Sequence, residues 1–139
     1  MTRIEFYVLP GEQPEDRLKL ACQLTLKAWR QGLQVFLRAQ DSPQCRQLDD
    51  LLWQFRSDTF IPHSLFAEDP LAPVVIGQDE APSWTGGLLL NLGETLSAHL
   101  AGFQRIIEIV NQQPRVLAAS RENFRDYRQR GYDPRRVEL

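Results

Sequence analysis

Short, almost continuously apolar runs alternate with amphipathic helical patterns along this chain, and that alternation restricts the fold more than any other feature of the sequence. Such runs are typical of strands that helices cover on both faces of a sheet. The predicted strands are residues 3–9, 33–37, 73–76, 88–92 and 105–110. Alternating strands and helices favour right-handed crossovers. We therefore predict an α/β fold, a three-layer sandwich with a mostly parallel sheet.

Residues that begin and end helices separate these strands. Pro14, followed by two acidic residues, opens an amphipathic helical pattern that Gly32 ends. Ser42-Pro43 supplies an N-cap and a first-turn proline for a second helix. A final helix is predicted over residues 114–130, closed by Gly131. The chain therefore opens as β-α-β-α and has a helix near its end.

Length and composition favour a single folded domain over residues 1–139. Hydrophobic residues make up 42% and charged residues 24% of the chain, which is ordinary for a globular protein. Cys22 and Cys45 lack the spacing and the neighbouring histidines of a redox or metal site, so we expect two free thiols and no metal. The chain starts directly on its first strand, and no apolar run approaches membrane-spanning length. We expect a cytoplasmic protein that makes no membrane contact.

The formal net charge of -2 hides an uneven distribution. From Pro114 onward seven arginines stand against four acidic residues, so this tail carries +3 and the preceding residues carry -5. Proteins that grip a nucleic-acid backbone usually present a broadly basic face. We therefore expect no direct nucleic-acid binding as the main activity, while a local site for an acidic partner stays open.

No pattern of catalytic or cofactor-binding residues stands out. The turn after the first strand, residues 10–14, carries neither of the glycine-rich phosphate motifs, and Glu12, Glu15 and Asp16 lie where a phosphate would sit. The two histidines lie in different contexts, and there is no nucleophile-elbow motif. Because no set of residues meets the requirements of a catalytic site, we predict a non-catalytic protein without a cofactor.

An aromatic segment, residues 48–63, ends the second predicted helix and continues into a loop. Loops without a function are normally polar, whereas this one is apolar and aromatic. Two interpretations stay open. Trp53 and Phe60 either cover the core, or they form an exposed patch of the kind that anchors a protein interface.

The last predicted helix carries a basic stripe. Arg121, Arg125 and Arg128 follow the spacing i, i+4, i+7, and Phe124 and Tyr127 lie beside them. This stripe is either a solvated helix face or a receptor for an acidic peptide. In a receptor, guanidinium groups bind carboxylates while an aromatic wall takes an apolar side chain.

Together with the first strand, these segments carry a resemblance to a known family. The matching stretches are residues 6–9, 28–32, 48–53, 60–63 and 120–128. They include Leu48-Asp49-Asp50-Leu51-Leu52-Trp53 followed by Phe60-Ile61-Pro62-His63. In this order, over nearly the full length, the chain resembles the chi-subunit family of the DNA polymerase III holoenzyme.

The resemblance implies a Rossmann-like fold without a nucleotide site and an accessory, clamp-loader-associated role in DNA replication. It also implies two partners. The first is the psi subunit, in a heterodimer. The residues that the resemblance assigns to psi binding are Trp53, Phe60, Ile61, Pro62 and His63.

The second implied partner is the C-terminal tail of single-stranded DNA-binding protein. The resemblance assigns this contact to Val110, Arg121 and Phe124. Leu117 stands where a lysine is often found, and Phe124 replaces a tyrosine. The first departure leaves one carboxylate contact for Arg115, Arg125 or Arg128, and we include Arg125 and Arg128 in the predicted tail site.

Two other classes of function remain as rivals. A small α/β hydrolase-like enzyme predicts a deep polar pocket at the carboxyl ends of the strands. A direct binder of single-stranded DNA predicts that the purified chain alone shifts an oligonucleotide at moderate salt.

Overall fold

The structure, a computed structural model, describes residues 2–55 and 60–139. Residues 56–59 of the aromatic segment lie outside the described residues. The elements in chain order are β1 (Arg3–Val8), α1 (Pro14–Arg30), β2 (Val35–Arg38), α2 (Ser42–Gln54), β3 (His63–Leu65), β4 (Val74–Gly77), β5 (Gly87–Asn91), a short 3-10 helix (Leu100–Gly102), β6 (Phe103–Val110), α3 (Pro114–Gln129) and β7 (Arg135–Glu138).

The strands of the described residues form one seven-stranded sheet in the order β3-β4-β2-β5-β6-β1-β7. Every pairing in it is parallel. The prediction of an α/β fold with a mostly parallel sheet is confirmed, and the sheet is parallel throughout.

Helices cover both faces of this sheet and make two separate cores. Alternate strand residues point to opposite faces. In β2, Val35 and Leu37 pack with α1 and α2, while Phe36 belongs to the core on the face of α3. Cys22 and Cys45 are free and buried in the first core, as predicted. Burial raises the pKa of the Cys22 thiol to about 12.

The two edge strands were not predicted from the sequence. β3 has three residues and begins at His63, the last residue of the aromatic segment. β7 has four residues, three of them charged, so it shows no apolar run. Short, charged edge strands are a common way to prevent edge-to-edge aggregation, and they hide the strand from a search based on hydrophobicity.

The start of α2 differs from the prediction by one residue. The N-cap is Asp41 rather than Ser42, because the Asp41 side chain accepts a hydrogen bond from the backbone N–H of Gln44 at 2.9 Å. Ser42 is the first helical residue and Pro43 follows it within the first turn. Aspartate and serine are equally good N-caps, so sequence preference alone does not choose between them.

A buried polar network joins α3 to the sheet. The Glu108 carboxylate accepts hydrogen bonds from the Tyr127 hydroxyl at 2.6 Å and from the Asn91 amide at 2.9 and 3.0 Å. Asn91 in turn accepts a hydrogen bond from Arg38 at 2.9 Å. Burial raises the pKa of Glu108 to about 7, although these hydrogen bonds and the charges of Arg38 and Arg17 act in the opposite direction.

The raised pKa of Glu108 predicts a pH-dependent stability. The folded state holds this proton more tightly than the unfolded state, whose carboxyl has the ordinary pKa of 4.5. The free energy of unfolding therefore contains a contribution that is complete below about pH 4.5 and is lost as the pH rises to about 7. Its size is up to about 3 kcal/mol.

Glu108→Gln removes this contribution. Urea denaturation between pH 4.5 and 7.5 should show that the difference in unfolding free energy between wild type and variant changes across this range. Parallel pH curves for the two proteins would contradict the account.

Candidate functional site

An aromatic patch, defined as Trp53 and Phe60, lies at the end of α2. The side chains are 60% and 57% exposed. Their rings stack with centroids 5.6 Å apart and an interplanar angle of 30°. Neither side chain belongs to the two cores. This arrangement favours an interface anchor over a cover for the core.

His63 lies beneath the patch and supports it. Its side chain is 1% exposed, and its ring packs edge-on to Trp53 at 4.7 Å between centroids. Nδ1 lies 2.6 Å from the carbonyl oxygen of Ile61, so Nδ1 carries the proton and donates. Nε2 lies 3.3 Å from Oδ1 of Asp49 without a well-aligned hydrogen bond. Asp49 therefore lies beside the ring of His63 without a hydrogen bond to it.

The five residues predicted to bind psi divide into two groups. Trp53 and Phe60 form the exposed surface, whereas Ile61 is 2% exposed and belongs to the core on the face of α1 and α2. Pro62 is half-buried. Ile61 and His63 thus hold the loop in place, and a partner meets Trp53 and Phe60 first.

A second surface lies between α3 and the edge of the sheet formed by β1 and β7. It is a groove of about 450 Å³. We call it the arginine groove, and its lining residues are Phe6, Val8, Val110, Gln112, Leu117, Ser120, Arg121, Phe124, Arg125 and Arg136.

The base of the arginine groove is apolar. Val110, predicted as a tail-binding residue, is 4% exposed at the end of β6. Phe124 packs against Phe6 with ring centroids 5.3 Å apart. Leu117, where the resemblance leads one to expect a lysine, adds a further apolar side chain. The groove therefore combines an apolar base with a rim of guanidinium groups.

The predicted arginine stripe divides at this groove. Arg121 and Arg125 line it, whereas Arg128 does not and instead places its guanidinium 5.9 Å from the centroid of the Phe124 ring. Arg115 lies away from the groove and pairs with Glu94. The structure thus brings together Val110, Arg121, Phe124 and Arg125, with Arg128 behind the aromatic wall.

The sequence prediction missed Arg136, which lines the groove from β7. Its register partner on β1 is Phe6, so both side chains lie on the face of α3. If residues 135–138 are recognised as a strand, the alternation of side chains along it assigns Arg136 to the face of α3.

A polar cavity of about 480 Å³ lies at the carboxyl ends of the strands, where the rival enzyme interpretation expected a pocket. Its buried charged groups are already bonded. Arg17 donates to the carbonyl oxygens of Ile109 and Leu92 at 3.0 and 3.2 Å, and Arg38 donates to Asp79 at 2.7 Å. Among the described residues, no histidine or cysteine lines this cavity. Glu108, whose raised pKa would suit a general base, also lines the cavity, but its carboxylate already accepts hydrogen bonds from Tyr127 and Asn91. The buried ionisable groups of this cavity are therefore bonded to the fold itself.

Residues 2–55 and 60–139 show neither a metal-binding cluster nor a membrane-spanning helix. They contain no group of three or more histidine, cysteine or acidic side chains that could hold a metal ion. In the same ranges, every helix is too short or too polar to cross a membrane.

Comparison with known proteins gives a consistent result. The chain matches the family model described as DNA polymerase III chi subunit, HolC, over residues 1–135. It is 46% identical to the DNA polymerase III subunit chi of Pseudomonas aeruginosa over 132 residues, which cover 95% of this chain and 93% of that protein. It is 27% identical to the subunit chi of Escherichia coli over 140 residues, covering 96% and 95% of the two chains. The subunit chi of Haemophilus influenzae is also 27% identical, over 136 residues that cover 93% and 92%.

Proposed function

We propose that this chain, which belongs to the chi-subunit family of DNA polymerase III, bridges the psi subunit and the C-terminal tail of single-stranded DNA-binding protein. Membership of the family makes the chain a non-catalytic accessory subunit of the polymerase complex that replicates DNA. The bridging role, the association with the clamp loader and a cytoplasmic location are our proposal.

The observation that carries the proposal is the position of two unlike surfaces at opposite edges of one sheet. The aromatic patch packs on His63 of the edge strand β3, and the arginine groove includes Arg136 of the other edge strand β7. Seven strands spaced about 4.8 Å apart separate the two edges by roughly 29 Å. Two partners therefore bind without competing for the same surface.

The aromatic patch suits an apolar, permanent partner such as psi. Large aromatic side chains that are exposed and stacked are typical interface anchors, because they bury much area with little loss of conformational entropy. The buried His63 packs against Trp53, and Phe60 stacks on Trp53, so the patch is already formed before a partner arrives. Pre-formed surfaces lose less entropy on binding.

The arginine groove suits an acidic peptide with an apolar end. The tail of single-stranded DNA-binding protein is expected to be acidic and to end in phenylalanine. Its ring fits against Val110 and Phe124, while its carboxylates meet the guanidinium groups of Arg121 and Arg125. Because the tail becomes ordered on binding and its charges stay partly solvated, the affinity should be modest and should fall with salt.

The psi contact is tested by Phe60→Ala. Truncating an aromatic anchor typically costs about 2 kcal/mol or more, which corresponds to about 30-fold weaker binding. Co-purification of psi should be lost while the melting temperature stays close to wild type, since Phe60 is 57% exposed.

Leu71→Ala is the matched control, because Leu71 is a large apolar side chain that is 73% exposed and lies outside the patch. It should keep psi. Normal psi binding by Phe60→Ala, or equal loss in both variants, would refute the patch.

The tail contact is tested by calorimetry with a synthetic tail peptide. Binding in the micromolar range should weaken as ionic strength rises, disappear when the peptide lacks its terminal phenylalanine, and fall strongly in Arg121→Ala. Arg115→Ala is the control, since this exposed arginine lies away from the groove. If Arg121→Ala binds as well as wild type, the arginines of α3 are a solvated helix face and the site assignment fails.

A further inference from the structure

Arg136 gives the arginine groove a basic group on its second wall. Arg121 and Arg125 belong to α3, whereas Arg136 comes from β7 across the groove. A peptide lying in the groove therefore meets guanidinium groups from the helix and from the sheet. The guanidinium groups of α3 and β7 can then bind carboxylates of such a peptide from opposite walls of the groove.

Two of these three arginines already hold a carboxylate of this chain. Arg136 pairs with Glu138 at 2.8 Å, and Arg125 pairs with Glu122 at 3.1 Å. Arg121 has no ion-pair or hydrogen-bond partner within residues 2–55 and 60–139. Glu138 lies two positions after Arg136 on the same strand, so both side chains point to the face of α3.

We propose that Arg136 binds a carboxylate of the acidic tail and that Glu138 occupies this arginine until the tail displaces it. The inference rests on the proposed function of the groove. Arg136 thereby supplies the cationic contact that Leu117 cannot make. Glu138 sets the affinity by competing with the ligand for Arg136.

The pair with Glu138 is weak enough to be exchanged. The side chains of Arg136 and Glu138 are 64% and 70% exposed. Exposed ion pairs contribute little to stability, because water and salt screen them. The tail peptide carries both a carboxylate and a phenylalanine ring. Because the ring is held at the apolar base of the groove, the carboxylate of the same peptide displaces Glu138 from Arg136.

The adjacent residues of β7 provide a matched control. Arg135 pairs with Asp133 at 2.9 Å, and here too the arginine and the acid are two positions apart in the sequence. Neighbouring strand residues point to opposite faces, so Arg135 lies on the face of α1 and does not line the groove. Substitutions at 133 and 135 thus make the same charge changes close by, without altering the groove.

Calorimetry with the tail peptide separates these roles. Arg136→Ala should weaken binding about 10-fold, and Glu138→Gln should strengthen it about 2- to 5-fold. Arg135→Ala and Asp133→Asn should change the affinity less than 2-fold. In the double variant Arg136→Ala/Glu138→Gln, the gain from removing Glu138 should largely disappear, because its competition with the ligand acts through Arg136.

Each result decides one point. If wild type binds the peptide and Arg136→Ala binds equally well, this inference is wrong and the proposed function stands. If Glu138→Gln and Asp133→Asn strengthen binding equally, the effect is one of general charge and Glu138 holds no special place. If wild type does not bind the peptide at all, the proposed function fails and this inference fails with it.

Discussion

The arginine groove depends on the hydrogen bonds that the buried carboxyl group of Glu108 accepts. This group accepts hydrogen bonds from the Tyr127 hydroxyl of α3 and from the Asn91 amide of β5, so one carboxyl group joins a helix to the centre of the sheet. Burial also raises the pKa of the Tyr127 hydroxyl, which therefore remains protonated and donates. Phe124 lies one turn before Tyr127, and both rings contact Phe6. The hydrogen bond between Tyr127 and Glu108 therefore also sets the distance between α3 and β1. The width of the groove follows from that distance.

The all-parallel sheet then separates the two surfaces. Parallel strands need crossover connections, and these connections place helices on the faces and leave the edges available. One edge, at β3, is where α2 ends and the aromatic patch begins. The other edge, at β7, forms one wall of the arginine groove. The proposed bridging role requires two surfaces that do not obstruct each other, and this topology places the patch and the groove at opposite edges.

The sequence predicts the elements whose stability comes from their own side chains. Five strands carry apolar runs and three helices carry proline starts, and all of them are present. β3 and β7 are missed because they are stabilised by backbone pairing with β4 and β1, which no local pattern reveals. Because β7 is not predicted, Arg136 is not predicted as a lining residue of the groove. The sequence indicates the aromatic patch as an apolar loop, but it does not indicate the inward position of His63. That position depends on the hydrogen bond to the carbonyl group of Ile61 and on the contact with the Trp53 ring.

We expect the aromatic patch and the arginine groove to bind their partners independently in one molecule. This expectation is tested most directly by measuring the affinity of the tail peptide for the chain alone and for its purified complex with psi. The account predicts the same dissociation constant, within about 2-fold, because the two surfaces lie at opposite edges of the sheet roughly 29 Å apart. Loss of peptide binding in the complex, or release of psi by the peptide, would show that the partners share one surface and would contradict the account.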